Sequence, residues 1–149
     1  MKPEETIDFQ IKIAWQSIGR LYNEVAAKYD STWATGNVLL AIDAEQGTPS
    51  TALGPKMGME ATSLSRILKT LETKQLIQRI PETKDRRRVI VKLTPEGIKK
   101  REEAKTAVLA FNEIIRTKLG SEKVDAFMKT IEEMNQLFAS GNVSGKDLR

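Results

Sequence analysis

Apolar residues along the first part of the chain recur at helical spacing. Ile7, Ile11, Trp15, Ile18, Leu21, Tyr22, Val25 and Tyr29 predict one amphipathic helix over residues 5–29. Asp30, Ser31 and Thr32 supply a break and an N-cap. Trp33, Val38, Leu39 and Ile42 then mark a second, shorter helix. Residues 45–50 (EQGTPS) are turn chemistry, punctuated by Gly47 and Pro49. A short third helix is expected over 50–58, kinked or shortened by Gly54-Pro55. The cleanest pattern follows. Leu64, Ile67, Leu68 and Leu71 keep the i, i+3, i+4, i+7 rule, while Thr62, Ser63, Ser65, Arg66, Lys69, Thr70 and Thr73 take the other faces.

After Leu71 the period changes. Ile77 and Arg79 lead to Pro81 and a polar, basic tip (ETKDRRR, 82–88), after which Val89, Val91 and Leu93 alternate with Arg88, Ile90 and Lys92. Two short strands joined by a charged hairpin are predicted. Thr94-Pro95-Glu96 restarts helix, with a threonine cap, proline at the first position and an acid where the dipole favours it. Ile98, Val108, Phe111, Ile114, Ile115 and Leu119 carry that helix to Gly120. Ser121 is expected to cap a final helix striped by Val124, Phe127, Met128, Ile131, Met134, Leu137 and Phe138, and the Gly/Ser-rich tail to be mobile.

The predicted fold class is mainly α with a small β-hairpin, in the order α, α, α, α, β, β, α, α. Three helices followed by a basic hairpin make a winged helix-turn-helix core, flanked by long dimerisation helices. The expected division is residues 1–30 as an N-terminal dimerisation helix and 31–97 as the DNA-binding domain. Residues 98–140 are read as C-terminal dimerisation helices and 141–149 as a tail. The small central unit is too small to cover the apolar stripes of the flanking helices, so a second copy of the chain is expected to do so.

Charge sharpens this picture. The net charge of the 149 residues is only +4, but residues 50–101 hold 13 Lys and Arg against 5 Asp and Glu, while the remainder holds 11 basic and 15 acidic residues. A basic segment inside an otherwise acidic chain is the footprint of a polyanion-binding surface, or else simply a solvated charged face. The chain has no cysteine and no histidine. Disulfides, thiolate or imidazole metal sites and cysteine or histidine catalysis are therefore excluded, and no cofactor is expected. No apolar run reaches the ~18 residues of a membrane span, so a soluble, cytoplasmic protein is expected. Acid pairs such as Glu102-Glu103 and Glu132-Glu133 fall on exposed helix faces with nothing to organise them for catalysis.

Residues 53–97 resemble the MarR family of bacterial transcriptional regulators. The likeness rests on LSRILKTLETKQLIQR (64–79), DRR (85–87) and VKLTPEG (91–97), in that order. It implies a homodimer, acting as a repressor on a pseudo-palindromic double-stranded DNA operator. It also implies that Asp85 and Arg87 match the family's Asp-x-Arg pair, the acid orienting the wing and the arginine entering the minor groove. The residues support a DNA reading in their own right. A helix whose inner stripe is Leu64, Ile67, Leu68 and Leu71 presents Thr62, Ser63, Ser65 and Arg66 outward, small enough near the N-terminus for a major groove ~12 Å wide. Arg66 can fork onto guanine, and Lys69 suits a phosphate. Lys84, Arg86, Arg87 and Arg88 crowd the hairpin tip, where a ribbon arginine can reach a narrow minor groove. Ordinary solvated helix and turn residues are the bland alternative. Two features depart from the family's pattern: Gly54-Pro55 inside the third helix, and Glu60 where a capping Ser or Asp is usual.

Members of this family commonly respond to a small molecule or to thiol oxidation. Without cysteine the second route is closed, and without histidine a zinc-responsive one lacks its ligands. A small-molecule effector remains, with Trp15, Tyr22, Tyr29 and Trp33 as candidate lining residues or, more plainly, as packing. The competing function is a winged-helix module that contacts protein or RNA.

Overall fold

The computed structural model describes all residues, Met1–Arg149, and divides into two compact units, Met1–Ala107 and Val108–Arg149. A single 3₁₀ turn (Pro3–Glu5) precedes α1 (Ile7–Ala27), and α2 (Trp33–Ala41) follows. Then come β1 (Thr48–Pro49), α3 (Ser50–Met57), α4 (Ala61–Thr73), β2 (Ile77–Pro81), β3 (Val89–Leu93), α5 (Pro95–Leu119) and α6 (Ser121–Ala139). The chain is mainly helical, as its periodicity predicts.

Thr32 caps α2 as expected, its Oγ1 accepting from the Thr35 N–H at 3.2 Å while Thr35 Oγ1 accepts from the Thr32 N–H at 3.2 Å. The break before it is a turn in which Asp30 takes a positive φ of 51°. α1 locks onto α2 where a glycine lets an aromatic ring approach. A Cβ at Gly19 would stand 2.8 Å from the Trp33 ring, and Trp15 and Tyr22 flank that ring at centroid distances of 4.5 and 5.6 Å.

The core of the first unit lies under the winged segment. Val38, Leu39, Ile42, Leu53, Leu64, Leu68, Leu71, Ile77 and Val91 form one buried cluster, drawn from α2, α3, α4, β2 and β3. Each such side chain removed from water stabilises the fold by ~1.5–3 kcal/mol. α4 spends Leu64, Leu68 and Leu71 on that core, which commits its other faces to solvent. Pro55 does stand inside α3, which ends two residues later at Met57 and is capped by Gly58 in the left-handed region. A Cβ at Gly54 would stand tight against the Met59 carbonyl at 3.1 Å and in ordinary contact with Leu64 at 3.7 Å.

The sheet differs from the expected hairpin. It has three antiparallel strands in the order β1-β3-β2, with Thr48 opposite Val91 and Arg79 also opposite Val91 on the far side. Asp43 builds the extra strand. Its Oδ1 accepts from the Glu45 and Gln46 N–H groups at 2.9 and 2.8 Å, and its own N–H donates to Thr48 Oγ1 at 2.9 Å. The α6 cap also differs: Gly120, at φ 89°, occupies the cap position and Ser121 is already helical.

In the second unit, α6 follows the end of α5, and Arg116 Nη1 pairs with Asp125 Oδ1 at 2.7 Å. Phe111, Ile115, Val124, Ile131 and Met134 are half-buried there, while Phe127, Met128, Leu137 and Phe138 are exposed. Residues 141–149 form turns in which Asp147 Oδ2 accepts from the Ser144 N–H and hydroxyl at 2.7 and 2.8 Å. No helix is long and apolar enough to cross a membrane.

Candidate nucleic-acid interface

The outward face of α4 carries Thr62, Ser63, Ser65, Arg66 and Lys69, all exposed. Their hydroxyls and cations are uncommitted. Thr70 and Thr73 return their hydroxyls to the carbonyls of Arg66 and Lys69 at 3.1 and 2.9 Å, whereas Thr62, Ser63 and Ser65 make no hydrogen bond of that kind. Glu60 stands at the N-cap without a side-chain cap bond, so its departure from the usual cap leaves the first turn of α4 open. Sequence periodicity marks this face because Leu64, Leu68 and Leu71 are buried, Ile67 is half-buried and every other position of α4 is exposed.

The wing is the tip between β2 and β3. Glu82 N–H donates to the Arg88 carbonyl at 2.8 Å, and Arg88 N–H to the Asp85 carbonyl at 3.0 Å. Asp85 Oδ1 accepts from the Arg87 N–H at 3.0 Å, so the acid shapes the backbone from which Arg87 projects. Lys84, Asp85, Arg86, Arg87 and Arg88 are exposed. They are not equivalent. Arg88 Nε lies 3.4 Å from Glu82 Oε2, and Arg79 Nε lies 2.8 Å from Glu72 Oε2, joining β2 to the end of α4. Arg66, Lys69, Lys84, Arg86 and Arg87 enter none of the chain's ion pairs. Five free cations thus sit on α4 and the wing tip, with two further arginines already engaged. The acids that engage them, Glu72 and Glu82, escaped notice in the sequence. The signal was available for Glu82, since an acid and a base close the two ends of one hairpin turn.

The four aromatics do not form one group. Trp15, Tyr22 and Trp33 stack together, with Trp15 at the exposed edge, and burial holds the Tyr22 hydroxyl above its ordinary pKa. Tyr29 stands apart: Lys100 Nζ lies 5.6 Å over its ring and donates to its carbonyl at 2.9 Å. No group of His, Cys, Asp and Glu is arranged to hold a metal ion.

Known proteins share both the sequence pattern and the architecture. The chain is 30% identical over 106 residues to the HTH-type transcriptional regulator SarZ of Staphylococcus aureus (strain USA300), spanning 70% of this chain and 72% of that one. Residues 32–89 match the MarR family. The chain belongs to the MarR family. SarZ of Staphylococcus haemolyticus (strain JCSC1435) is 29% identical over 90 residues, 60% of this MarR-family chain, which spans 61% of that relative's length. The transcriptional repressor CouR, solved bound to a 23-mer DNA duplex, is 25% identical with a TM-score of 0.79, covering 89% of this chain and 94% of CouR. The relatives so named are transcriptional regulators.

Proposed function

We propose that this MarR-family chain is a homodimeric, sequence-specific DNA-binding transcriptional regulator, acting as a repressor on a pseudo-palindromic operator. One observation carries the reading: Arg66 and Lys69 on the exposed face of α4, and Lys84, Arg86 and Arg87 on the adjacent wing, are all free of intrachain ion pairs. In this reading α4 enters the major groove, with Thr62, Ser63, Ser65 and Arg66 at base edges and Lys69 on phosphate. Arg87, aimed by Asp85, enters the neighbouring minor groove, and Lys84 and Arg86 neutralise the backbone.

Residues 31–97 are then the DNA-binding domain and the flanking helices the dimer interface. The large apolar side chains left exposed support this: Ile7, Ile11, Trp15 and Leu21 on α1, and Phe127, Met128, Leu137 and Phe138 on α6. A second copy would cover them, and its two-fold axis would set the palindrome. A small-molecule effector would act from beside Trp15, Tyr22 and Trp33, changing the spacing of the two recognition helices. The test is fluorescence anisotropy on DNA taken from upstream of the protein's own coding region. Binding that persists in a large excess of non-specific duplex supports the reading, and binding abolished by that competitor refutes it.

A further inference from the structure

Glu82 and Arg88 stand at the two ends of the wing tip, and they hold each other twice. Their backbones close the turn through the 2.8 Å bond from the Glu82 N–H, and their side chains meet at 3.4 Å. Within the turn, Asp85 takes the Arg87 N–H on its carboxylate and the Arg88 N–H on its carbonyl. The carboxylate of Glu82 is poorly supplied otherwise. Its Oε2 is shut off from solvent and accepts no hydrogen bond, which leaves Arg88 as the cation beside it. Swinging Arg88 away would leave that oxygen without a partner, a cost kept small by the part-exposure of the pair. The geometry therefore commits the Arg88 Nε to Glu82, although composition alone counts Arg88 among the free basic residues of the tip.

We infer that Glu82 is a positioning residue of the wing. With Arg88 it locks the base of the tip, so that Arg86 and Arg87 project from a fixed turn. This rests on the reading of the wing as a DNA contact. It makes a prediction of unusual sign. An acid beside a polyanion is ordinarily a penalty, so neutralising it should tighten binding and steepen the salt dependence. A positioning acid does the opposite.

The experiment compares wild type, Glu82→Gln and the charge-conserving swap Glu82→Arg with Arg88→Glu. Binding is read by anisotropy on the selected upstream DNA at two salt concentrations, and amide hydrogen exchange across residues 82–89 is followed without DNA. Glu82→Gln is expected to bind roughly two- to fivefold more weakly despite losing a negative charge, the range a part-exposed ion pair supplies. Its amides at Arg87 and Arg88 exchange faster, and the swap recovers more than half of both losses. Tighter binding by Glu82→Gln with a steeper salt slope overturns the inference, as does a swap no better than the single variant. If wild type binds no DNA selectively, the regulator reading fails by itself. The exchange measurement still decides the lock, which unchanged rates at Arg87 and Arg88 in Glu82→Gln refute.

Discussion

Gly97→Ala would tell how the wing is bolted to the helix that follows it. By helix propensity alone, replacing a glycine near the start of α5 with alanine should stabilise the chain by ~1 kcal/mol. The surroundings reverse that sign. A Cβ at Gly97 would fall 1.9 Å from the Leu76 carbonyl oxygen and 2.9 Å from its carbon. That carbonyl accepts from the Thr94 N–H at 3.0 Å, while Thr94 Oγ1 donates to the Gln75 carbonyl at 2.7 Å and accepts from the Gly97 N–H at 3.0 Å. Gln75 sits at a positive φ of 57°, so the segment has little freedom to retreat. Ordinary contact needs the carbonyl to withdraw by more than an ångström. Overpacking of this kind costs ~1–3 kcal/mol, loss of the Thr94 cap ~1 kcal/mol and loss of the backbone bond another ~0.5–1.5 kcal/mol. Against the gain in propensity, a net destabilisation of about 2–4 kcal/mol is expected, a large share of the ~5–15 kcal/mol typical of a domain. Urea denaturation of Gly97→Ala beside Gly145→Ala measures it, since Gly145 has open space around its Cβ position. A Gly97→Ala midpoint indistinguishable from that of Gly145→Ala would refute the reasoning.

Other outcomes follow from the same geometry. Arg66→Ala should lose ~1–3 kcal/mol on the operator and relax preference at one base pair per half-site. Lys69→Ala should weaken all sequences about equally, and anisotropy against single-base operator variants separates the two patterns. With about four phosphate contacts per protomer, log K against log[salt] should slope near −7 for the dimer, and a flat response would point to a protein-binding wing. The Asp43 carboxyl, held by the Gln46 and then the Glu45 N–H groups, should titrate below its ordinary value of 3.8. What it contributes is complete above the unfolded value and is lost as pH falls through the lower folded one; a carbon-detected NMR titration with a midpoint at or above 3.8 contradicts this.

Much of the fold was legible because its elements obey one rule each. The stripe Leu64, Ile67, Leu68, Leu71 could bury only as a helix, and the same rule marked Thr62, Ser63, Ser65, Arg66 and Lys69 as outward-facing. Thr94-Pro95-Glu96 announced α5 by local capping chemistry. β1 was not legible, because two residues ending in a proline carry no period. It exists through the Asp43–Thr48 hydrogen bond and through pairing with Val91, some 43 residues on. Gly120 took the cap from Ser121 because a φ of 89° suits glycine and not serine. The basic tip was visible as composition, but its division into free and engaged cations was not. That depends on which acid faces which arginine across the turn. Trp15, Tyr22 and Tyr29 likewise share a predicted helical stripe, yet Trp33 from the next helix meets only the first two, because it docks on Gly19 and Tyr29 lies apart.

The central claim is that α4 and the wing tip of a two-fold dimer read adjacent grooves of one operator. Hydroxyl-radical footprinting of wild type and Arg87→Ala on an operator with A·T-rich flanks tests it most directly. The account predicts two protected half-sites centred about one helical turn (~34 Å) apart, with flanking minor-groove protection that disappears in Arg87→Ala while the central protection remains. A single protected patch, or flanks equally protected by both proteins, would contradict it.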